Sequence, residues 1–439
     1  MIVTLGGVAA TVPGSVAAMP VELSALVVVG SSTNPTGDGV RDFYRGKFDR
    51  PDSDVVTVDF FGGPLGLYRV LDEGPADDTV VLSSGWGAAN TSLLLTYLAA
   101  TGSQDPVLTG PRLYVLDNNV ASPNGGYGTR LPWFALLGVN PLPTPSAPGV
   151  RVVNVVYEYD INSNIPAYVL NGPAMANSLI AYFQRRLNQQ DLVLPVDEDG
   201  TSLVPADCAE SCSVTTARDG RVDFTRVEQD RYEFTTEGGD SGYVEVVGDT
   251  TYVAYKSDGL PLVAPLRLLG EPGQRLADLT EPALEAVVRY GYPDNDPLAN
   301  PDTYVPARLI PTVPETRRFV RDFADGVVAG VATLDDPAAT SVRRTDAGAV
   351  VGDDVSTSVS AATAGAAGRV PRPVIRHSMD FTPGRSAGTA GRRDRPAPLA
   401  RTAMRLVETI STRFRRDGGA SAESAGQGGA DTATEAAAG

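Results

Sequence analysis

The residues whose types and spacing bear most directly on chemistry are Ser83, Ser84, Gly85, Trp86 and Gly87. They follow an apolar run at 79–82 (TVVL) that reads as a buried parallel strand. They precede Leu93, Leu94, Tyr97 and Leu98, which recur at helical spacing, so a helix is expected from about residue 88. Strand, tight glycine-rich turn and helix make a nucleophile elbow, where the pattern G-x-S-x-G lifts a serine onto a strained turn. Here the first glycine is replaced by Ser83 and the central serine by Gly85. The frame for a serine nucleophile is expected, with its position empty. Ser84 lies one residue before the centre, which turns its side chain to a different face; Ser83 and Ser84 are the only serines of the turn. Trp86 has three readings: it plugs the former pocket, stacks on a ligand, or packs in the core.

The other parts of such a site are sparse. Asp160 ends a strand expected at 150–157, where a catalytic acid or an ordinary turn aspartate would sit. The only histidine is His377, in a stretch rich in proline, glycine and arginine. Without an imidazole in reach, no ordinary base is available to a serine near neutral pH. Gly30, Ser31 and Ser32 follow a strand at 25–29 (ALVVV). Such a loop either offers backbone N–H groups to an oxyanion or is simply a turn. Cys208 and Cys212, in DCAESC, fit a small disulfide, two free thiols or, with too few partners, a metal site. As alternative nucleophiles they sit in the wrong part of the chain. No metal and no cofactor is called for.

The elements needed to position these residues alternate. Strands are expected at 25–29, 54–60, 79–82, 112–116, 150–157 and 250–256, and helices at 174–187 and 276–290. This alternation implies an α/β fold with a parallel sheet flanked by helices. Residues 197–243 are polar and read as a β-hairpin insertion carrying both cysteines. Residues 312–331 form an amphipathic helix that docks on the domain, with Phe319, Val320, Phe323, Val327 and Val328 as its apolar stripe. Low complexity marks 332–397 as a disordered linker and 418–439 as a disordered tail. Between them, 398–417 reads as a basic amphipathic helix suited to an anionic membrane surface or a partner groove, or as a marginal helix in a linker. Residues 1–20 resemble a signal peptide lacking its basic start; a buried first strand is the rival reading.

Composition sets outer limits. The 439 residues, 42% hydrophobic, suffice for one large core with extensions. A net charge of −17 argues against nucleic acid as a partner. The only lysines are Lys47 and Lys256.

Several blocks, in order, resemble the PE-PPE domain, an α/β-hydrolase-like (cutinase- or esterase-like) module of mycobacteria and related actinobacteria. They are Gly30 with Asn34-Pro35-Thr36, the elbow, Pro123-Asn124-Gly125-Gly126 with Arg130 and Pro132, and Tyr157-Glu158-Tyr159-Asp160. The most distinctive are LPLVAPLR at 260–267 and Leu279-Thr280-Glu281-Pro282 with the later Gly291-Tyr292. The resemblance covers about residues 25–311 and implies a serine-esterase-like fold with Ser, Asp and His in that chain order. Carried over residue by residue, the serine falls on Gly85, and the zone where the family often has a histidine reads YFQRRLNQ. The expectation is a secreted or cell-envelope protein, a degenerate hydrolase that binds an envelope lipid, glycan or protein. The alternative is an active esterase or acyltransferase with a noncanonical site.

Overall fold

The computed structural model describes residues 25–50, 53–74, 79–102, 104–137, 139–185 and 189–335. The leader-like stretch, the basic helix at 398–417, the acidic tail and His377 lie outside the described residues, as does the expected linker from 336 on; its first residues, 332–335, are helical instead.

The apolar runs become a parallel array. Strands β1 (Ala25–Val29), β2 (Asp54–Val58), β3 (Thr79–Ser84), β4 (Leu113–Asp117) and β5 (Arg151–Tyr157) are joined by β10 (Thr250–Tyr255), which pairs parallel to β5. The stretch read as one hairpin is larger. It holds β6 (Ser211–Thr216), β7 (Gly220–Glu228), β8 (Arg231–Thr236) and β9 (Ser241–Val247), an antiparallel meander that continues the same sheet. The sheet has ten strands in the order β2-β1-β3-β4-β5-β10-β9-β8-β7-β6. Short polar turns made the segment legible as β structure. Its fusion to β10 depends on Val244 facing Val253, a pairing that periodicity alone does not assign.

Alternate residues of each parallel strand feed two cores. Leu26, Val28, Val80, Leu82, Val115 and Val153 point to one face, and Val27, Val29, Val81, Leu116 and Val152 to the other. Helices α1 (Gly63–Glu73) and α2 (Trp86–Ala100) cover the second face through Leu67, Leu71, Leu94, Leu95 and Leu98. The first face is closed by Val40, Tyr44 and Phe48, by Leu192, Val193, Leu194 and Val196, and by Val222, Phe224 and Phe234 of the meander. Each such fully buried side chain contributes about 1.5–3 kcal/mol. Lys47 fastens this face. Its ammonium donates to Leu194 O, Val196 O and Asp219 Oδ2 at 2.8, 2.6 and 2.7 Å, with both ionic side chains buried.

Helices α3 (Gly172–Arg185), α4 (Glu271–Arg289) and α5 (Val313–Asp335) complete the structure. α5 packs on α4 through its small residues: a Cβ at Gly330 would lie 2.0 Å from Leu279 O and one at Gly326 2.6 Å from Pro282 O. Phe319 stacks on Tyr290, but Val320 and Val328 of the same apolar stripe remain 61% and 70% exposed. The glycines, rather than that stripe, form much of the close contact.

Candidate functional site

The carboxyl ends of β1, β3, β4 and β5 converge, the place where open α/β sheets hold their ligands. β3 delivers the elbow. Gly85 has φ 57° and ψ −119°, a backbone conformation that glycine adopts freely and other residues adopt only under strain. α2 begins immediately, at Trp86 rather than near residue 88. The turn is tight because Gly87 lets the next loop close in: a Cβ there would lie 2.4 Å from Gly30 O. A Cβ at Gly85 would meet nothing nearer than Asn162 Nδ2, at 3.6 Å. Space for a side chain therefore exists above the elbow, and Gly85 leaves it unfilled.

The loop after β1 lies against this turn, but two of its three N–H groups serve the fold. Gly30 N donates to Val58 O and Ser31 N to Asn34 O, both at 2.9 Å. The N–H of Trp86 stands at the first helical position of α2, where no intrahelical acceptor exists. The Trp86 ring packs beside Tyr127, at 6.1 Å between centroids, in a cluster with Ala89, Val120, Val139 and Phe134.

Asp117, a residue the sequence reading did not single out, organises the centre. Its Oδ1 accepts from Tyr44 Oη at 2.5 Å and Tyr157 Oη at 2.6 Å. Its Oδ2 accepts from Ser84 Oγ and Gln189 Nε2, each at 2.6 Å. Four donors match the lone-pair sites of an ionised carboxylate. Burial, followed by the charge of Asp117, pushes both phenols well above their ordinary 10, which keeps them protonated as donors. The backbone carbonyl of Asp117 also accepts from Gly85 N at 2.9 Å. One residue thus holds Ser84 by its side chain and Gly85 by its main chain. Ser83 is fully buried, its hydroxyl directed to Val115 O at 3.4 Å. The strand pairing Ser84↔Asp117 accounts for the arrangement. An aspartate directly after the apolar core of the neighbouring strand was the available signal. Tyr44 and Gln189 carried none, lying 73 and 72 residues from Asp117 in sequence.

Asp160 is fully buried. Its Oδ1 accepts from Asn162 N at 2.7 Å and Ser163 N at 3.4 Å, closing a local turn. Its Oδ2 has no hydrogen-bond partner among the described residues, nor does Asn118 Oδ1. Burial raises the Asp160 pKa from 3.8 to about 7, opposed by the two backbone N–H groups and the side chain of Asn118. Cys208 and Cys212 are bonded to each other, with Cα atoms 5.7 Å apart, near the start of the meander and not at the strand ends. Among the described residues no cluster of three or more His, Cys, Asp or Glu could hold a metal. An open groove of about 370 Å³, lined by residues including Thr96, Pro123, Leu142, Thr144 and Tyr304, contains no elbow residue.

Comparison with known proteins agrees with this architecture. Residues 233–293, spanning β8 to α4, match the PE-PPE domain. Over 243 residues the chain is 27% identical to Esterase PE16 of Mycobacterium tuberculosis, covering 54% of this chain and 37% of that protein. It is 28% identical over 228 residues to the Uncharacterized PPE family protein PPE42, covering 50% and 30%. It is 26% identical over 297 residues to the Uncharacterized PPE family protein PPE28, covering 61% and 38%; both are from the same species. The chain thus spans about a third of the length of these relatives. No solved structure matches it.

Proposed function

We propose that this chain is an esterase-like PE-PPE module that binds a lipid, glycan or protein of the cell envelope and does not hydrolyse esters. The observation that carries the reading is Gly85. It has the backbone conformation of an elbow nucleophile, with room above it, and no side chain to form an acyl-enzyme. The serine beside it donates a hydrogen bond to Asp117, a carboxylate already engaged by three other donors. With no side chain at Gly85 and no histidine among the described residues, donors at Trp86 and the β1 loop would leave only residual rate. Export to the envelope is part of the proposal. It is supported by the leader-like N-terminus and by the Cys208–Cys212 bond, which suits an oxidising compartment. Among the described residues no helix is long and apolar enough to cross a membrane.

The test is labelling of the purified protein with a fluorophosphonate, together with turnover of short-chain nitrophenyl esters. No labelling and no turnover above background are expected. One observation favours a second reading: Ser84 Oγ and Asp117 Oδ2 are 2.6 Å apart, a serine already bonded to a carboxylate. Esterase activity that is abolished by Ser84→Ala would establish that reading and overturn the first.

A further inference from the structure

We propose that the space above Gly85 is a carboxylate site, and that its ligand is a carboxylic acid with an apolar tail rather than an intact ester. The proposal rests on the reading of the elbow as a binding site that does not hydrolyse.

Two donors serve that space. The first is main-chain. α2 runs for 15 residues from Trp86, and in an elbow the N–H of the residue after the nucleophile position is the one presented to a bound oxygen. The second is the side-chain amide of Asn162, whose Nδ2 lies 3.6 Å from where a Cβ at Gly85 would stand. Asn162 is only 7% exposed. Its backbone N–H donates to Asp160 Oδ1 and its C=O accepts from Tyr127 N, both at 2.7 Å. The residue is thus pinned on both sides, while among the described residues Nδ2 has no acceptor. A donor so held and so buried is costly to leave unbonded.

The chemistry of the ligand follows from these donors. A serine at position 85 would fill the space; with glycine there, a ligand oxygen approaching the turn is what Nδ2 meets. Both groups only donate, and the start of a helix adds partial positive charge, so the ligand is an acceptor and preferably an anion. A carboxylate brings two equivalent oxygens, one for each donor, and its bonds are charge-assisted; an ester brings one strong acceptor, its carbonyl. Asp117 does not compete for these donors, because its oxygens already take four of their own.

The tail is set by a run of rings. Trp86, adjoining Gly85 in the chain, is half-buried and lies 6.1 Å from Tyr127 between centroids. Tyr127 lies 4.9 Å from Phe134, and Phe134 lies 6.5 Å from Trp133, which is 53% exposed. The run leads from the elbow to the surface and offers an apolar wall to a hydrocarbon chain. Tyr127 belongs to both parts of the site: its N–H holds Asn162, and its ring is in the wall.

Isothermal titration calorimetry of the full chain with octanoate and with octanol tests this. Octanoate is expected to bind at least about tenfold more tightly than octanol. Asn162→Leu removes the donor at similar size and should weaken octanoate by about tenfold or more while leaving octanol unchanged. Octanoate that binds no more tightly than octanol, or that is indifferent to Asn162→Leu, overturns the proposal. Hydrolysis is read separately, from nitrophenyl octanoate. Release of nitrophenol overturns the parent reading and this proposal with it; no release, with octanoate bound no better than octanol, overturns this proposal alone. Should Asn162→Leu not fold, the amide resonance of Trp86 in the wild type decides: a shift with octanoate and none with octanol supports the site, and a resonance unmoved by octanoate refutes it.

Discussion

Replacing Asp160 by asparagine should make the protein more stable at high pH and leave it unchanged at low pH. The Asp160 pKa is raised from 3.8 to about 7 by burial. The folded state therefore keeps a proton that the unfolded chain releases, and the contribution of Asp160 is fully present below about pH 3.8. It is lost as pH rises through about 7, the reverse of a salt-bridged carboxylate. At 1.36 kcal/mol per pKa unit, the full loss is about 4 kcal/mol. Asparagine does not titrate. Its oxygen can still accept from Asn162 and Ser163 N–H. Urea unfolding of both proteins between pH 4 and pH 8 measures the difference. The expected result is near-equal stability at pH 4 and an advantage for Asp160→Asn that grows to about 4 kcal/mol by pH 8. Parallel pH profiles would refute the argument, since they would mean that Asp160 titrates alike folded and unfolded.

Further expectations attach to the same region. Gly85→Ser should fit sterically yet destabilise the fold by about 1–3 kcal/mol through its backbone conformation, without conferring esterase activity; thermal melts and nitrophenyl ester assays check both halves. Asp117→Asn turns an amide NH₂ toward donors, whichever way it is oriented, and should cost about 3 kcal/mol in urea unfolding, with exchange of the Gly85 amide accelerated. Loss of stability without a change at Gly85 would separate Asp117 from the elbow. Lys47→Met leaves Asp219 and two carbonyls buried without their donor and should destabilise by about 3–5 kcal/mol; a neutral result would show that the pair is solvated.

How much of this was legible in the sequence depends on whether a feature is local. The ALVVV and TVVL runs and the Gly-rich turn after them are contiguous, so β1, β3 and the elbow could be placed from spacing alone. The Asp117 network could not, because its donors come from four separate segments that only the register of β3 on β4 and the turns around Tyr44 and Gln189 bring together. The stripe on α5 is visible in the spacing of Phe319, Val320, Phe323, Val327 and Val328. Its packing is not visible in that spacing, because a close helix crossing at Gly326 and Gly330 depends on what a residue lacks, and hydrophobic periodicity records only what is there. The meander was under-read for a similar reason: its turns are visible, while the sheet it joins is set by β10, downstream of it.

The two halves of the sheet also differ in the order in which they can form. From β6 to β10 every strand pairs with its neighbour in sequence across turns of a few residues, so each closure loses little chain entropy. The parallel half is slower by construction. β1 must wait for both β2 and β3, and β5 meets β10 only after the intervening chain of more than ninety residues has been gathered. We therefore expect the meander to gain protection first and to offer β5 a ready edge on which the parallel strands accrete. Pulsed hydrogen exchange during refolding would show amides of β7 and β8 protected before those of β1 and β3; the opposite order would mean that the elbow, and not the meander, is where folding begins.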